Sequence, residues 1–104
     1  MKRFRVSFST RSVEQLEALN LYIAEEAGRD RADHYVDAIT DYCENLETFP
    51  HRGRRRDDIQ SGLRLLGFRR RVTIAFTIED EIVTILGVFY GGQDIEAALQ
   101  ADEP

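Results

Sequence analysis

The chain has 104 residues, of which 42% are hydrophobic, and its 19 acidic and 14 basic residues give a net charge of −5. A chain of this size can bury one hydrophobic core, so we predict a single domain over residues 1–104. The net acidity argues against a protein that coats nucleic acid through a generally basic surface. No apolar run is long enough to span a membrane, the N-terminus lacks the apolar segment of a secretion signal, and the one cysteine, Cys43, has no partner for an intrachain disulfide. We therefore expect a cytoplasmic protein without membrane contact.

The first half of the chain predicts one strand followed by two helices. Apolar and polar residues alternate over 4–8, as in a half-buried strand. Ser12 is predicted to cap the first helix, with Gln15 completing a capping box, and Gly28 is predicted to end it. The second helix is predicted over 30–49, because a residue before proline avoids the helical conformation. A connection of about two residues between the helices predicts an antiparallel hairpin.

The second half predicts a loop, three strands and a short helix. The predicted elements are a long polar loop over 53–62, strands over 63–68, 72–78 and 82–90, a Gly91-Gly92 turn needing positive φ, and a helix over 94–99 capped by Asp94. The strand over 82–90 is almost wholly apolar, as a strand buried on both faces would be. The predicted order is β-α-α-β-β-β-(α), an α+β fold in which a helical hairpin packs on a mostly antiparallel four-stranded sheet.

Positive charge is concentrated in the middle of the chain. Residues 52–71 hold eight arginines and two aspartates, whereas residues 12–48 hold ten acidic and two basic residues, and residues 72–104 hold seven acidic and no basic residues. The arginines either meet an anionic partner or brace the protein's own acidic helices. Exposed ion pairs contribute only about 0–1 kcal/mol each, so stability would not require so many. We therefore expect at least part of the run to contact an anionic partner.

Two motifs, in this order of elements, resemble the ParE/RelE superfamily of bacterial toxins, and specifically its ParE branch. The first runs over Phe49–Ile59 and continues as Gly62-Leu63-Arg64, and the second runs over Ile85–Asp94. The resemblance covers nearly the whole chain. It implies the toxin of a type II toxin–antitoxin pair. Its partner would be a cognate ParD-like antitoxin with a DNA-binding N-terminal part and a flexible C-terminal part that wraps the toxin, so that operator DNA is reached only through the antitoxin.

The resemblance leaves two activities open, because fold alone does not fix function. ParE-like toxins typically poison DNA gyrase, whereas RelE-like toxins cut messenger RNA in the ribosome. A metal-independent ribonuclease needs a base, cations on the phosphate and an acid. Arg64, Arg71 and Tyr90 would form that set, but no Lys, Arg or His follows Arg71, and tyrosine, with a pKa near 10, is a poor base. We therefore favour a gyrase inhibitor without catalytic residues; the alternatives are a ribosome-dependent endonuclease and an inactive relative that only binds antitoxin.

Two groups of residues are predicted to contact partners. The predicted target or antitoxin contacts are Arg52, Arg54, Arg64, Arg70 and Arg71, with Tyr90 and Asp94 shaping the adjacent edge. The hairpin is also expected to leave an apolar groove for an antitoxin segment. Tyr22, Tyr35 and Tyr42 recur at helical spacing and could be anchors there, although we expect ordinary core packing for at least two of them.

The remaining chemically active side chains predict no catalysis. His51 is expected to be a solvent-facing loop residue, and Cys43 a small core residue. Asp57-Asp58 is expected to pair with neighbouring arginines. No His/Cys pair has the spacing of zinc ligands, so we predict no metal. A core this small leaves few residues for an enclosed cofactor cavity, so we also predict no cofactor.

Overall fold

The alternating and helical patterns fold into a mixed sheet covered by a helical hairpin. The computed structural model describes residues 3–100. Its elements are β1 (Arg5–Phe8), α1 (Thr10–Ala27), α2 (Arg29–Glu44), a 3-10 turn (Asn45–Glu47), β2 (Arg54–Arg55), β3 (Arg64–Phe68), β4 (Val72–Glu79), β5 (Ile82–Tyr90) and α3 (Ile95–Gln100). No helix in this part of the chain is both long and apolar enough to cross a membrane.

The sheet has the strand order β1-β5-β4-β3-β2. β1 runs parallel to β5, and the other neighbours are antiparallel. The α+β class is as predicted, but the sheet has a fifth strand, β2, inside the segment 53–62 that was predicted to be only a loop. Its two arginines carry no apolar alternation, and they pair with Leu65 and Arg64. Backbone pairing of this kind leaves no hydrophobic signal in the sequence.

The helical hairpin differs from the prediction at its ends. Ser9 caps α1, since its Oγ accepts a 3.1 Å hydrogen bond from the Ser12 backbone amide, and the prediction of Ser12 as the cap was wrong. Ser12 lies buried in the first turn and donates its own hydroxyl to the Ser9 carbonyl oxygen at 2.8 Å. The helices are joined by Gly28 alone, at φ 97°. A 2.9 Å hydrogen bond from Asn20 to Asp33 spans the hairpin, as an antiparallel arrangement requires.

The second helix is shorter than predicted. It ends at Glu44, and a 3-10 turn over Asn45–Glu47 separates it from Phe49-Pro50. The amides of Thr48 and Phe49 both donate to the Asn45 carbonyl oxygen. The chain therefore tightens before the proline, as helix ends commonly do.

Both faces of the sheet are covered. On the first face, the hairpin packs over a core that includes Leu16, Ile39, Leu46, Ile74, Phe76 and Ile85. On the second face, α3 and the segment 56–63 enclose a smaller core of Ile59, Leu63, Ala75, Phe89 and Leu99. This burial on both sides explains the nearly continuous apolar sequence of β5.

A β-bulge interrupts the pairing of β4 with β5. Ala75 lies opposite Gly87, but its neighbour Phe76 lies opposite Ile85. Leu86 is therefore an extra residue without a partner on β4. The alternation of side chains along β5 is reversed beyond this point.

Polar side chains of the β1–α1 segment satisfy the backbone at the bulge. Ser9 Oγ donates to the Leu86 carbonyl oxygen at 3.1 Å, and Gln15 Oε1 accepts from the Val88 amide at 2.7 Å. Gln15 thus accepts a hydrogen bond from the backbone beside the bulge and is not part of a capping box with Ser12. Because the bulge shifts the alternation by one residue, Tyr90 faces the helical hairpin and packs against its core.

Two turns hold non-glycine residues in the left-handed region. Arg69 and Arg70, in the β3–β4 turn, have φ values of 49° and 62°, and Asp80 and Glu81, in the β4–β5 turn, have φ values of 52° and 64°. Positive φ at both central positions is the signature of the type I′ hairpin turn. The conformation is unfavourable for residues with a Cβ, and aspartate tolerates it better than arginine.

Candidate functional site

Five aromatic rings contact one another in a row where the hairpin meets the end of the sheet. In order they are Tyr22, Tyr90, Tyr35, Phe68 and Tyr42, with successive ring centroids 6.0, 6.4, 6.0 and 5.0 Å apart. They come from α1, β5, α2, β3 and α2 respectively. We call this row the aromatic band. The band connects Tyr90 to Tyr22, Tyr35 and Tyr42, the three tyrosines that were predicted as antitoxin contacts.

Two arginines lie over rings of the aromatic band. The Arg52 guanidinium carbon is 5.1 Å from the centroid of Tyr42, and its Nη2 donates to the Tyr42 hydroxyl at 3.3 Å. The Arg69 guanidinium carbon is 4.9 Å from the centroid of Phe68 and 5.9 Å from that of Tyr35. Cation–π contacts of this kind hold a guanidinium in place. Base stacking on these ring faces would require the arginines to move.

The turn between β3 and β4 presents three consecutive arginines. Arg69, Arg70 and Arg71 are all exposed, and we call them the arginine turn. Within residues 3–100, no carboxylate lies within salt-bridge distance of any of the three. The Gly91 amide donates to the Arg71 carbonyl oxygen at 2.8 Å. The turn is thereby fixed beside the end of β5 and next to Tyr90.

The arginine turn also acts on the ionisation of Tyr35. Burial raises the pKa of Tyr35 above its ordinary value, and the neighbouring Tyr90 raises it further, whereas Arg69 and Arg71 act in the opposite direction. Desolvation of the phenolate outweighs the two cations. Tyr35 is therefore neutral at physiological pH and unsuited to act as a base.

Two other arginines are engaged inside their own loop. Arg55 donates two hydrogen bonds to Asp57, at 3.0 and 3.1 Å, and Arg56 donates two to Asp58, at 2.8 and 2.9 Å. Asp57 also accepts from the Gly62 amide at 2.8 Å. The predicted internal pairing of these aspartates is thus confirmed, and it accounts for two of the eight arginines.

These pairs should be visible in an acid titration. Hydrogen bonds from Arg55 and Arg56 lower the pKa of Asp57 and Asp58, so both carboxylates should stay ionised, and paired, as the pH falls through the ordinary range near 4. A lowered pKa means that the pairing is present above the unfolded pKa and is lost only as the pH falls through the folded one. Carboxyl-carbon NMR would measure both titrations. Arg55→Ala should return Asp57 toward its ordinary value and leave Asp58 unchanged; a shift of both would show that the pairs are not independent.

The structure brings together only part of the predicted contact set. Arg52, Arg70, Arg71 and Tyr90 lie at the aromatic band or the arginine turn. Arg64 begins β3, opposite Phe76, and its Nη1 lies 3.4 Å from the Arg52 carbonyl oxygen. Four residues of strand separate it from the turn, which is about 13 Å at 3.3 Å per residue. The backbone of Arg64 therefore lies well away from the backbones of Arg71 and Tyr90.

Arg54 and Asp94 lie on the second face of the sheet. Both line an open cleft of about 640 Å³ between β2, β3 and the start of α3. Asp94 Oδ1 accepts from the Ala97 amide at 3.0 Å, as a helix cap does. Gly91 has the positive φ predicted for the preceding turn. Arg54 and Asp94 thus lie away from the aromatic band, on the opposite face of the sheet.

The hairpin carries an apolar groove, but the tyrosines do not line it. The groove, of about 470 Å³, is lined by Val13, Leu16, Glu17, Asn20, Leu21 and Val36. Tyr35 and Tyr42 are half-buried and pack against the main core, whereas Tyr22 is 52% exposed. Leu21, 66% exposed, was missed because it lies outside the inward-facing helical stripe. An exposed leucine beside that stripe was the available signal.

The remaining predicted residues lie apart from the aromatic band. His51 is exposed, with its ring edge-on to Phe4 at 6.0 Å, and it lines a hollow with Arg64 and Ile78. Cys43 is fully buried in the core, and burial raises its pKa to about 12. Over the described residues, no three His, Cys, Asp or Glu side chains are grouped so that they could hold a metal ion.

The fold is that of chains found in toxin–antitoxin complexes. It is similar to a chain of the chromosomal ParDE system from P. aeruginosa, with a TM-score of 0.75, 18% identity, and coverage of 86% of this chain and 97% of that one. It is also similar to a chain of the RelBE2 toxin–antitoxin complex from Mycobacterium tuberculosis, with a TM-score of 0.61, 21% identity, and coverage of 89% and 97%. No match was found among curated proteins.

The sequence identifies the family. The family model described as the ParE toxin of the type II toxin–antitoxin system parDE matches residues 6–95. The chain therefore belongs to the ParE toxin family of type II toxin–antitoxin systems. The resemblance stated from the sequence motifs is confirmed.

Proposed function

We propose that this protein arrests bacterial growth by binding DNA gyrase, and that a cognate ParD-like antitoxin neutralises it. The observation that carries the proposal is the separation of Arg64 from Arg71 and Tyr90. A ribonuclease would need these cations and a proton-transfer group around one phosphate. A surface that lacks such a constellation is suited to binding rather than to bond cleavage.

The surroundings of Tyr90 support a binding role. Its ring contacts are Tyr22 and Tyr35, and the raised pKa of Tyr35 keeps that phenol protonated. His51 lies at the Arg64 end of β3. His51 is thus not placed beside Tyr90, where it could exchange a proton with a 2′-hydroxyl.

The antitoxin would occupy the apolar groove of the hairpin. The groove offers Val13, Leu16, Leu21 and Val36 as apolar contacts, and the surrounding segment 12–48 carries ten acidic and two basic residues. An amphipathic helix with basic flanks would complement both properties. The ParDE and RelBE2 systems, to which the fold is similar, are themselves toxin–antitoxin pairs.

A supercoiling assay tests the proposed target directly. Purified toxin at micromolar concentration should reduce the supercoiling of relaxed plasmid by gyrase and raise the level of cleaved gyrase–DNA complex. Addition of the cognate antitoxin should restore supercoiling. In induced cells, thymidine incorporation should fall before methionine incorporation.

Three outcomes would contradict the proposal in different ways. Unchanged gyrase activity would exclude this target. Early loss of methionine incorporation, with cleaved messenger RNA that disappears in Tyr90→Phe, would indicate the ribosome-dependent endonuclease. Normal growth during overexpression would indicate a relative that only binds antitoxin.

A further inference from the structure

The arginine turn, Arg69 to Arg71, makes no salt bridge within residues 3–100, although the Arg69 guanidinium lies over the rings of Phe68 and Tyr35. Arg55 and Arg56 pair with the aspartates of their own loop, whereas no carboxylate within residues 3–100 forms a salt bridge with the arginine turn. Arg69 and Arg70 also adopt positive φ, which costs free energy for residues with a Cβ. Glycine or asparagine would form the same turn at lower cost. The ring contacts of Arg69 do not account for Arg70 and Arg71, so three adjacent exposed guanidiniums at this position need an explanation beyond folding.

We infer that the arginine turn contacts the phosphodiester backbone of duplex DNA. Guanidinium groups match phosphate oxygens with paired hydrogen bonds, and three in one turn can contact neighbouring phosphates. The contact rests on the proposed function, in which the toxin meets gyrase together with its DNA. In the proposed complex of toxin, gyrase and DNA, the toxin would then contact the DNA directly as well as the gyrase protein.

Duplex DNA fits this surface better than a single strand does. Binding of single-stranded nucleic acid relies on bases stacking on exposed aromatic faces. Here Arg69 covers faces of Phe68 and Tyr35, and Arg52 covers Tyr42. The aromatic band therefore supports the guanidiniums instead of receiving bases. The guanidinium N–H groups that remain free to donate suit phosphate oxygens on the outside of the DNA backbone. A duplex presents these oxygens while its bases stay stacked.

Charge argues against an acidic protein segment as the occupant. The hairpin is strongly acidic, so an antitoxin segment seated on its groove is expected to be basic there and to have no need of the arginine turn. The same acidity repels DNA from the hairpin. Contact with DNA is thereby confined to the arginine turn. The affinity of the isolated toxin for DNA should be low and should fall steeply as the salt concentration rises.

The test is the binding of purified toxin to a fluorescently labelled, random-sequence DNA duplex, followed by anisotropy over a series of salt concentrations. The wild type should bind at low salt, with a linear dependence of log K on log salt concentration. Arg70→Gly removes one guanidinium from a position with φ 62°, where glycine is unstrained. Loss of one phosphate contact should make the slope shallower by about 0.9. Arg71→Ala, at a position without positive φ, should have a similar effect.

Two control variants distinguish the loss of a phosphate contact from two other effects. These are the conformational effect of a glycine in a turn and the loss of one positive charge. Asp80→Gly makes the glycine replacement in the other hairpin turn, at φ 52°, and Arg29→Ala removes one exposed arginine from the hairpin. Both should keep the wild-type slope. Thermal unfolding of all variants should show that Arg70→Gly is at least as stable as the wild type.

The inference is overturned by any of three results. These are no duplex binding at low salt, an unchanged slope in both Arg70→Gly and Arg71→Ala, or a poly-glutamate peptide that binds as tightly as the duplex and loses affinity in the same variants. The supercoiling assay is scored separately. Gyrase inhibition that persists equally in wild type and Arg70→Gly, with unchanged DNA binding, would reject only the DNA contact. An inactive wild type would reject the proposed target.

Discussion

Replacing Gly87 by alanine is expected to destabilise the protein by about 1–3 kcal/mol, the usual cost of overpacking a core. A Cβ at this position would lie 2.5 and 2.7 Å from two ring carbons of Phe89 and 3.3 Å from Gln15 Oε1. Phe89 is buried in the second-face core, so its ring has no free space to enter. Gln15 would also be pushed from the Val88 amide. Urea denaturation followed by circular dichroism would measure the loss.

Gly67→Ala is the matched control for this prediction. Gly67 also lies within a strand, but a Cβ there would meet nothing within 4 Å. Alanine should leave stability unchanged or raise it by about 0.4–1 kcal/mol, because it restricts the unfolded chain. Equal destabilisation by both substitutions would show that strand flexibility, and not the contact with Phe89, makes glycine necessary at the bulge.

Replacing Tyr35 by alanine is expected to cost about 2–3 kcal/mol, somewhat less than truncation of a fully buried aromatic side chain. The Tyr35 ring makes edge contacts with Phe68 and Tyr90 and supports the Arg69 guanidinium. Its loss would break the aromatic band in the middle and free the arginine turn. Denaturant unfolding measures the stability, and titration with antitoxin measures the binding.

Tyr22→Ala provides the comparison, since Tyr22 is half exposed and touches only the end of the aromatic band, at Tyr90. Its removal should cost less than about 1 kcal/mol of stability, as surface substitutions usually do. If Tyr22 is an antitoxin anchor, antitoxin affinity should fall by more than stability does. A greater stability loss from Tyr22→Ala than from Tyr35→Ala would contradict the roles that burial assigns to the two tyrosines.

The long apolar elements were predictable because the spacing of their apolar residues indicates which face is buried. β4 alternates over its whole length, and α2 carries a regular apolar stripe, so both were located within a few residues. The start of α1 was not, because Ser9 and Ser12 are both good caps and stand three residues apart. Only the tertiary contact of Ser9 with the bulge at Leu86 distinguishes them, and that contact joins residues far apart in sequence.

The candidate site was predictable in composition but not in arrangement. The arginine count pointed to an anionic contact, and the pairing of Asp57 and Asp58 with adjacent arginines followed from their spacing. The sequence could not show that Arg64 lies a strand's length from Arg71, because that distance depends on strand bounds. Nor could it show that Tyr90 faces the hairpin, since that depends on the unpaired residue at Leu86.

The pairing of the first strand with the last constrains when the fold can be completed. Arg5 lies opposite Ile82, 77 residues later in the chain, so the sheet stays open on one side until β5 has been synthesised. The helical hairpin and the β3–β4 hairpin need only local contacts and can form earlier. On the ribosome, Tyr90 and the pairing of β1 are therefore acquired only after β5 has emerged. A nascent chain that lacks β5 would carry an unpaired β1, and the complete sheet would form only after the two hairpins.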